Sequence, residues 1–548
     1  MKLWDALVAS AAGDANLHCW EGDRYSAAPW RDVVADAEQM TAGLRRIGVR
    51  PGTAVAAVLV NTPLTVRGVL GVWLAGGTLA SLPVAARGMS VEEYTRQLSA
   101  ICEQLGPVAL LLDGRTLSSF PPELSRQVRV HTWESVAGRG AIAAAPPERD
   151  DVAFVQYSSG STRTPKGCML STRAIEAQMD LIEEMMQPTY GEEVGFSWLP
   201  LSHDMGMFGS LLSSWSHATP LALSTPQRFM FAPSTWLTDA ASFGATITGG
   251  PDSALRLAAR GLRPRHLSRP LRIRVCVVGA ERVQADTIEF VGERLRPYGF
   301  GTEALMPAYG LAEAVVAVTA TPHDEAPRCL TVDSIALADG NVEETEPEAP
   351  SATRIVSAGL PCRDVDLPGL GADRLDEILV RTPSLADGYF GEPELTAQRF
   401  SDGGVLTGDL GFLRDGHLYP VGRLDDVVSV GGRSVYTREI EAAVDGIGCA
   451  RPGGVAVLET PDAHRLALVL ELSRGHDDDH DALAEQCAAI AMAKAGVALD
   501  ECVFLRKARL PRTPSGKVQR HRARQLLASD RLQPASVVQL RQPAGARR

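Results

Sequence analysis

FVQYSSGSTRTPKGCMLS, residues 154–171, is the stretch from which the rest of the chain is read. A β-prone lead-in, Val152–Tyr157, opens into Ser158, Ser159, Gly160, Ser161, Thr162, Arg163, Thr164, Pro165, Lys166 and Gly167. Small hydroxyl residues, glycines and a lysine crowded in this way suit a polyphosphate. Backbone N–H groups and hydroxyls can converge on phosphate oxygens, glycine lets the backbone approach closely, and the lysine adds a mobile positive charge. The loop is not a Walker A motif, because Lys166 is followed by Gly167 rather than Ser or Thr. Alone it is equally compatible with an ordinary Ser/Gly-rich turn, so the downstream sequence has to decide.

Working outward, short β-type runs at 55–60 (VAAVLV), 108–112 (VALLL) and 274–278 (RVCVV) alternate with amphipathic helical segments. That alternation predicts an α/β protein with mainly parallel sheets. Ile175, Met179, Ile182 and Met186 recur at helical spacing and read as a core-facing stripe. The uncharged stretch 68–86 is broken by Gly76, Gly77 and Pro83, so it reads as a core helix over 64–75 and a buried strand rather than a membrane span. The 548 residues carry 45% apolar and 22% charged residues and a formal charge of -12. The acidic balance argues against non-specific nucleic-acid binding, which wants a basic surface. Nine scattered cysteines without a CxxC pair argue against zinc and against a disulfide framework, and free thiols fit a reducing cytoplasm. Cys168, beside the loop, reads as a small buried residue rather than a nucleophile. No signal peptide is evident at the N-terminus.

Four further blocks follow in order: WLPLSHDMGMFG (198–209), AYGLAEA (308–314), TGDLGFLRDGHLYPVGRLDD (407–426) and LPRTPSGKVQR (510–520). Together with the loop they resemble the ordered motifs of the adenylate-forming superfamily: acyl-CoA synthetases, fatty acyl-AMP ligases and the adenylation domains of peptide synthetases. The resemblance implies a large N-terminal AMP-binding domain (1–422) of parallel sheets with flanking helices and a small β-barrel-like subdomain. It also implies a small mobile C-terminal α/β domain (423–532) carrying a catalytic lysine. Residues 533–548 read as a flexible tail.

The implied reaction activates a carboxylic acid with MgATP to acyl-AMP, releasing pyrophosphate. In that resemblance Ser158, Ser159, Gly160, Ser161, Thr162 and Lys166 wrap the phosphates, and Gly279, Ala280 and Glu281 line the adenine with Gly310. Tyr309 stacks on adenine, Glu313 holds Mg²⁺, Asp409 takes the ribose hydroxyls and Arg423 adds a ribose or phosphate contact. Asp425 occupies the hinge position, and Lys517 swings in to bridge carboxylate and α-phosphate. His203 is expected as a wall or gate of the acyl pocket, with Met205, Gly206, Met207, Phe208, Leu211, Gly249, Gly250 and Pro251 around it. Asp252 stands where relatives often carry Asn, and Arg163 where many carry glycine.

Residues 81–98, the loop, 197–207 and TGGPDSA (248–254) look most like fatty acyl-AMP ligases. So does the acidic, proline-bearing insertion 323–353 ahead of GLP (359–361), which in that branch hinders the arrangement needed for CoA. The implied acceptor is the phosphopantetheine arm of a separate carrier protein, in lipid or polyketide/peptide natural-product assembly. An acyl-CoA ligase and a half-reaction or non-enzymatic adenylate-binding homologue are the alternatives. ATP–pyrophosphate exchange and CoA turnover discriminate between them.

Overall fold

The computed structural model describes residues 2–85, 89–117, 120–157, 165–424, 427–430, 433–460, 465–473, 479–507, 509–512 and 518–540. Two largely parallel sheets organise the large domain. The first has six strands in the order Val130–Thr132, Ala109–Leu112, Ala54–Ala57, Thr78–Ser81, Val152–Tyr157 and Gly167–Ser171. Only its last pair is antiparallel. The second has nine strands, and its centre is a parallel run of Leu305–Tyr309, Val275–Val278, Ile247–Gly250, Gly195–Ser197, Leu221–Leu223 and Asn16–Trp20. Antiparallel strands close both of its edges.

The local sequence accounts for these elements. Ala109–Leu112 is buried along its whole length, as expected of a parallel strand covered on both faces. Residues 63–81 form the helix Pro63–Leu74 and the strand Thr78–Ser81. Thr62 caps that helix, accepting the Thr65 N–H at 3.2 Å, and Pro63 occupies its first turn, where the missing N–H costs nothing. Ser171 caps the helix Thr172–Met186, and Gln187, at φ 43°, ends it. Ile175, Met179, Ile182 and Met186 form its buried stripe. Among the described residues no helix is long and apolar enough to cross a membrane.

An antiparallel sheet follows, built from Asp376–Val380, Phe400–Ser401, Gly404–Arg414 and His417–Arg423. The 323–353 segment contributes the strand Cys329–Asp333, which pairs with Ala352–Val356, and the short helix Ser334–Ala338. Val332 and Leu337 are fully buried, while Glu343, Glu344, Glu346 and Glu348 stay in water. In the small domain the strands Ala450–Glu459, Leu466–Leu472, Glu501–Leu505 and Ser536–Gln539 form one sheet with a core of its own. This corrects the expected tail from residue 533: Ser536–Gln539 pairs antiparallel with Glu501–Leu505. Its two β-branched residues, Val537 and Val538, suit a pleated edge. Residues 541–548 lie outside the described residues.

Candidate active site

Both large sheets present the carboxyl ends of their parallel strands to one cleft, where ligands of open α/β sheets bind. Buried amides stitch the two sheets together there. Asn61, beyond the strand Ala54–Ala57, donates to the carbonyls of Leu199 (2.9 Å) and Ser224 (2.8 Å) and accepts the Leu201 N–H (3.1 Å). Gln156 donates to the Ser202 carbonyl at 2.8 Å. The cleft encloses a cavity of about 610 Å³, within the usual range for small-molecule sites.

At one end of the cavity stand Tyr309, Asp409 and Arg423. The Tyr309 hydroxyl donates to Asp409 Oδ2 at 2.6 Å, and Arg423 Nε lies 3.5 Å from Asp409 Oδ1. Asp409 and Arg423 are register partners on adjacent antiparallel strands, which fixes their spacing. Burial first, and then the Asp409 carboxylate, pushes the Tyr309 phenol well up, so it stays a neutral donor. Gly279, Ala280, Glu281 and Gly310 line the same end. A Cβ on Gly310 would sit 1.6 Å from the Val316 carbonyl oxygen, so only glycine fits. Ala280 (φ 63°) and Val315 (φ 64°) are held in the left-handed region, and for a β-branched residue that is a strained conformation.

Glu313 occupies the middle of the cavity wall. Its Oε1 accepts the Tyr389 hydroxyl at 2.7 Å, and Lys166 Nζ lies 5.4 Å from the centre of the Tyr389 ring. Burial, then Glu313, raises the Tyr389 phenol. Sequence reasoning missed Tyr389. It reaches the site because residues 388–390 run beside 167–169, with Met169 N–H bonded to the Gly388 carbonyl (2.9 Å) and Phe390 N–H to that of Gly167 (2.8 Å). Cys168 is completely buried and burial drives its thiol up, as expected of a structural cysteine. Ser158, Ser159, Gly160, Ser161, Thr162, Asp425 and Lys517 lie outside the described residues. Val518, next to Lys517, lines the cavity with Gln519, Arg520 and Arg438, so the small domain closes over it.

The apolar branch corrects part of the expectation. His203 and Met205 line it, His203 Nδ1 lying 2.6 Å from Asp204 Oδ1. Met207, Phe208 and Leu211 are instead fully buried in the large-domain core, away from the cavity wall. The chain there winds as a helical stretch whose large apolar face packs inward. The face one half-turn away, Gly209, Ser210, Ser213 and Ser214, meets the cavity. Of TGGPDSA only Thr248 and Gly249 line it; Gly206, Gly250 and Pro251 stand behind. Asp252 also turns inward, accepting the Gln284 N–H (3.1 Å) and the Thr287 hydroxyl (2.9 Å). Burial, and then Glu281, pushes its carboxyl up to about 7.

The small domain is held against this wall by specific contacts. The Arg282 guanidinium, on the cavity wall, pairs with the buried Glu439 of the small-domain helix Thr437–Gly446, and Thr353 donates to the same carboxylate. Ser334 donates to the Lys494 carbonyl, and Lys494 Nζ to that of Ala352. The 323–353 segment therefore bears directly on the small domain.

Two mostly parallel sheets meeting at a nucleotide-sized cleft under a small α/β domain define the adenylate-forming fold. The chain belongs to the AMP-binding enzyme family, whose model matches residues 8–390. It is 31% identical over 414 residues to a putative fatty-acid–CoA ligase, fadD25, of Mycobacterium tuberculosis, covering 69% of this chain and 70% of that one. It is 31% identical over 405 residues to JamA of Moorena producens, a medium-chain-fatty-acid–[acyl-carrier-protein] ligase (68% and 67% covered). In structure it matches fatty acyl-adenylate ligases from E. coli and L. pneumophila with a TM-score of 0.88 over 96% of this chain and 98% of that one, at 23% identity. That likeness establishes the fold.

Proposed function

We propose that this enzyme activates a fatty acid as acyl-AMP and then passes the acyl group to the phosphopantetheine thiol of a separate carrier protein. The observation that carries the reading is one continuous cavity. It joins the Tyr309–Asp409–Arg423 end to the apolar branch and has Glu313, Lys166 and His203 on its wall between. In the first step a carboxylate oxygen attacks the α-phosphorus of ATP, the bond to the β-phosphate oxygen breaks, and pyrophosphate leaves. In the second the thiolate attacks the acyl carbonyl carbon and AMP leaves.

The site's task is positioning and charge neutralisation. Asp409 accepts the ribose hydroxyls and Tyr309 packs against adenine. Lys166 and the 158–164 loop hold the β,γ-phosphates, and Lys517 bridges the two reacting groups. Glu313 fits Mg²⁺: it offers a hard carboxylate on the cavity wall, and one or two carboxylates plus phosphates and water suffice for that ion. Bound there, Mg²⁺ would neutralise phosphate charge. The small domain, 423–532, turns about Asp425 between the two steps.

A CoA-ligase reading is favoured by the similarity to fadD25. Against it stands the packing of 323–353 on the small domain, which limits how far that domain turns about Asp425 and so hinders the particular arrangement that CoA transfer needs. Pyrophosphate release should depend on fatty acid, and acyl transfer should go to a holo-carrier protein with almost no acyl-CoA. Deleting 334–351 should let CoA thioester form while adenylation persists. Efficient acyl-CoA synthesis by the intact enzyme would return it to the CoA ligases.

A further inference from the structure

A second surface stands apart from the cavity. Between Ser253 and Ala280 the chain carries seven arginines and no Asp or Glu, in a protein whose formal charge is -12. Arg260, Arg263, Arg265, Arg269 and Arg272 are exposed, and none of the five has an ion-pair partner among the described residues. The arginines that flank them differ: Arg228 is paired with Asp239 and Arg274 with Glu193. One exposed arginine is ordinary. Five on one stretch make a local positive field, and acids more than about 8–10 Å away are screened from it by physiological salt.

Apolar side chains stand in water beside these charges. Phe231 is 93% exposed, more than any other large apolar residue described, and Met230 is 64% and Leu257 40% exposed. Met230 and Phe231 end the short helix Pro226–Phe231, and Leu257 lies one turn before Arg260 on the helix Asp252–Gly261. The two elements meet: a Cβ on Gly261 would lie 3.5 Å from Ser234 Cβ, just beyond Phe231 in the chain. Farther along, a Cβ on Gly244 would lie 3.5 Å from Arg269 Nη1. Pro226–Phe231 is anchored by its other side chains. Phe229 stacks on Trp198, 3.8 Å between centres, and Arg228 Nε donates to Asp239 Oδ2 at 2.8 Å. Phe231 is therefore presented outward by a fixed element.

The nine-stranded sheet separates this surface from the cavity. Leu221, Ile247 and Val277 line the cavity, whereas Ala222, Cys276 and Val278 pack with Trp236, Leu255 and Ala259 on the other face of the same sheet. A carrier protein docked here would have the sheet between its thiol arm and the reacting groups. An anionic lipid surface suits both parts of the patch. Its headgroup phosphates meet the arginines, and exposed Phe, Met and Leu side chains enter the boundary between headgroups and acyl chains. We propose that this face docks the enzyme reversibly on an anionic membrane surface, with Phe231 and Met230 inserted and Arg260, Arg263, Arg265, Arg269 and Arg272 against the headgroups. The docking stands whichever acid the cavity activates.

The test sediments the full-length enzyme with vesicles of phosphatidylcholine alone and of phosphatidylcholine mixed with phosphatidylglycerol. Binding should require the anionic lipid and weaken as salt rises. Each arginine near such a surface contributes about fivefold, so Arg263→Glu combined with Arg265→Glu should weaken binding by about 25-fold or more. Phe231→Ser should weaken it by about tenfold and leave its salt dependence in place. All three residues are exposed and away from the cavity, so pyrophosphate release with dissolved fatty acid should match wild type in both variants, which also shows that they fold. No binding to anionic vesicles, equal binding to both kinds of vesicle, or binding unchanged in either variant would overturn the proposal. So would an enzyme that ignores the vesicles but holds DNA or an acidic carrier protein through the same arginines, since the patch would then serve that partner.

Discussion

The two ends of the cavity are built in different ways. The end proposed for the nucleotide comes from strand termini and tight turns, each a short contiguous run: 279–281, 309–313, 407–409. The end proposed for the acyl chain comes from faces of helices and strand starts, one residue at a time, out of 182–186, 209–217, 195 and 247. A turn must be written locally, since its glycines and acids sit side by side. A helix face is written at intervals of three and four, and which face meets a ligand depends on what else competes for the other. The first kind of site should therefore answer to single substitutions with large catalytic losses, and the second with graded changes of preference.

The largest effect expected is at Lys517. Lys517→Ala should lower adenylation by about 10²–10³-fold or more, as loss of a charge aimed at the transition state does. Thioester formation from supplied acyl-AMP should change far less, and near-normal pyrophosphate release would remove the lysine from the mechanism. Next comes Asp409→Ala, which strips the Tyr309 hydroxyl and Arg423 of their partner. It should cost about 10–100-fold in kcat/KM for ATP, with little change in KM for the acid. Equal losses for both substrates would blur the division of the cavity.

For the acyl end, a Cβ on Gly209 meets nothing within 4 Å and Gly209 lines the branch. Gly209→Val should cut turnover of the longest acids by about tenfold and leave KM for ATP in place; an ATP defect would show that the two ends are not separable. The smallest effect concerns Asp252, behind the nucleotide end. Its carboxyl is raised from 3.8 to about 7 in the folded protein. The stability from holding that proton is complete below about 3.8 and is lost as pH rises through about 7. Asp252→Asn removes that dependence. Its Tm relative to wild type should be higher at pH 8 than at pH 5 by about 1–3 °C, and a constant difference would mean that Asp252 is ionised throughout.

The same contrast explains what the sequence made legible. Tyr309, Glu313, Asp409, Arg423 and Lys166 all reach the cavity, because each lies inside a short run that names its own turn. Met207, Phe208 and Leu211 did not reach it. Apolar residues were assigned to an apolar ligand, but the core between helix and sheet claims the largest of them, leaving Gly209, Ser210, Ser213 and Ser214 for the cavity. Tyr389 was invisible because its place depends on backbone pairing across more than 200 residues, between 388–390 and 167–169. Ser536–Gln539 was read as tail because the surrounding Arg, Gln and Pro masked two valines that complete a sheet edge.

The second sheet also has a consequence for biosynthesis. Its strand Asn16–Trp20 is made well before one of its two neighbours: it pairs on one side with Tyr25–Pro29 and on the other with Leu221–Leu223. A lone two-stranded hairpin is marginal in water. At about 5–20 residues per second, a ribosome needs roughly 10–40 s to deliver the parallel neighbour. During that interval Leu17 and Cys19, buried in the finished protein, have no sheet to enter. The hairpin of Asn16–Trp20 and Tyr25–Pro29 is therefore a place where a nascent chain of this protein benefits from a chaperone.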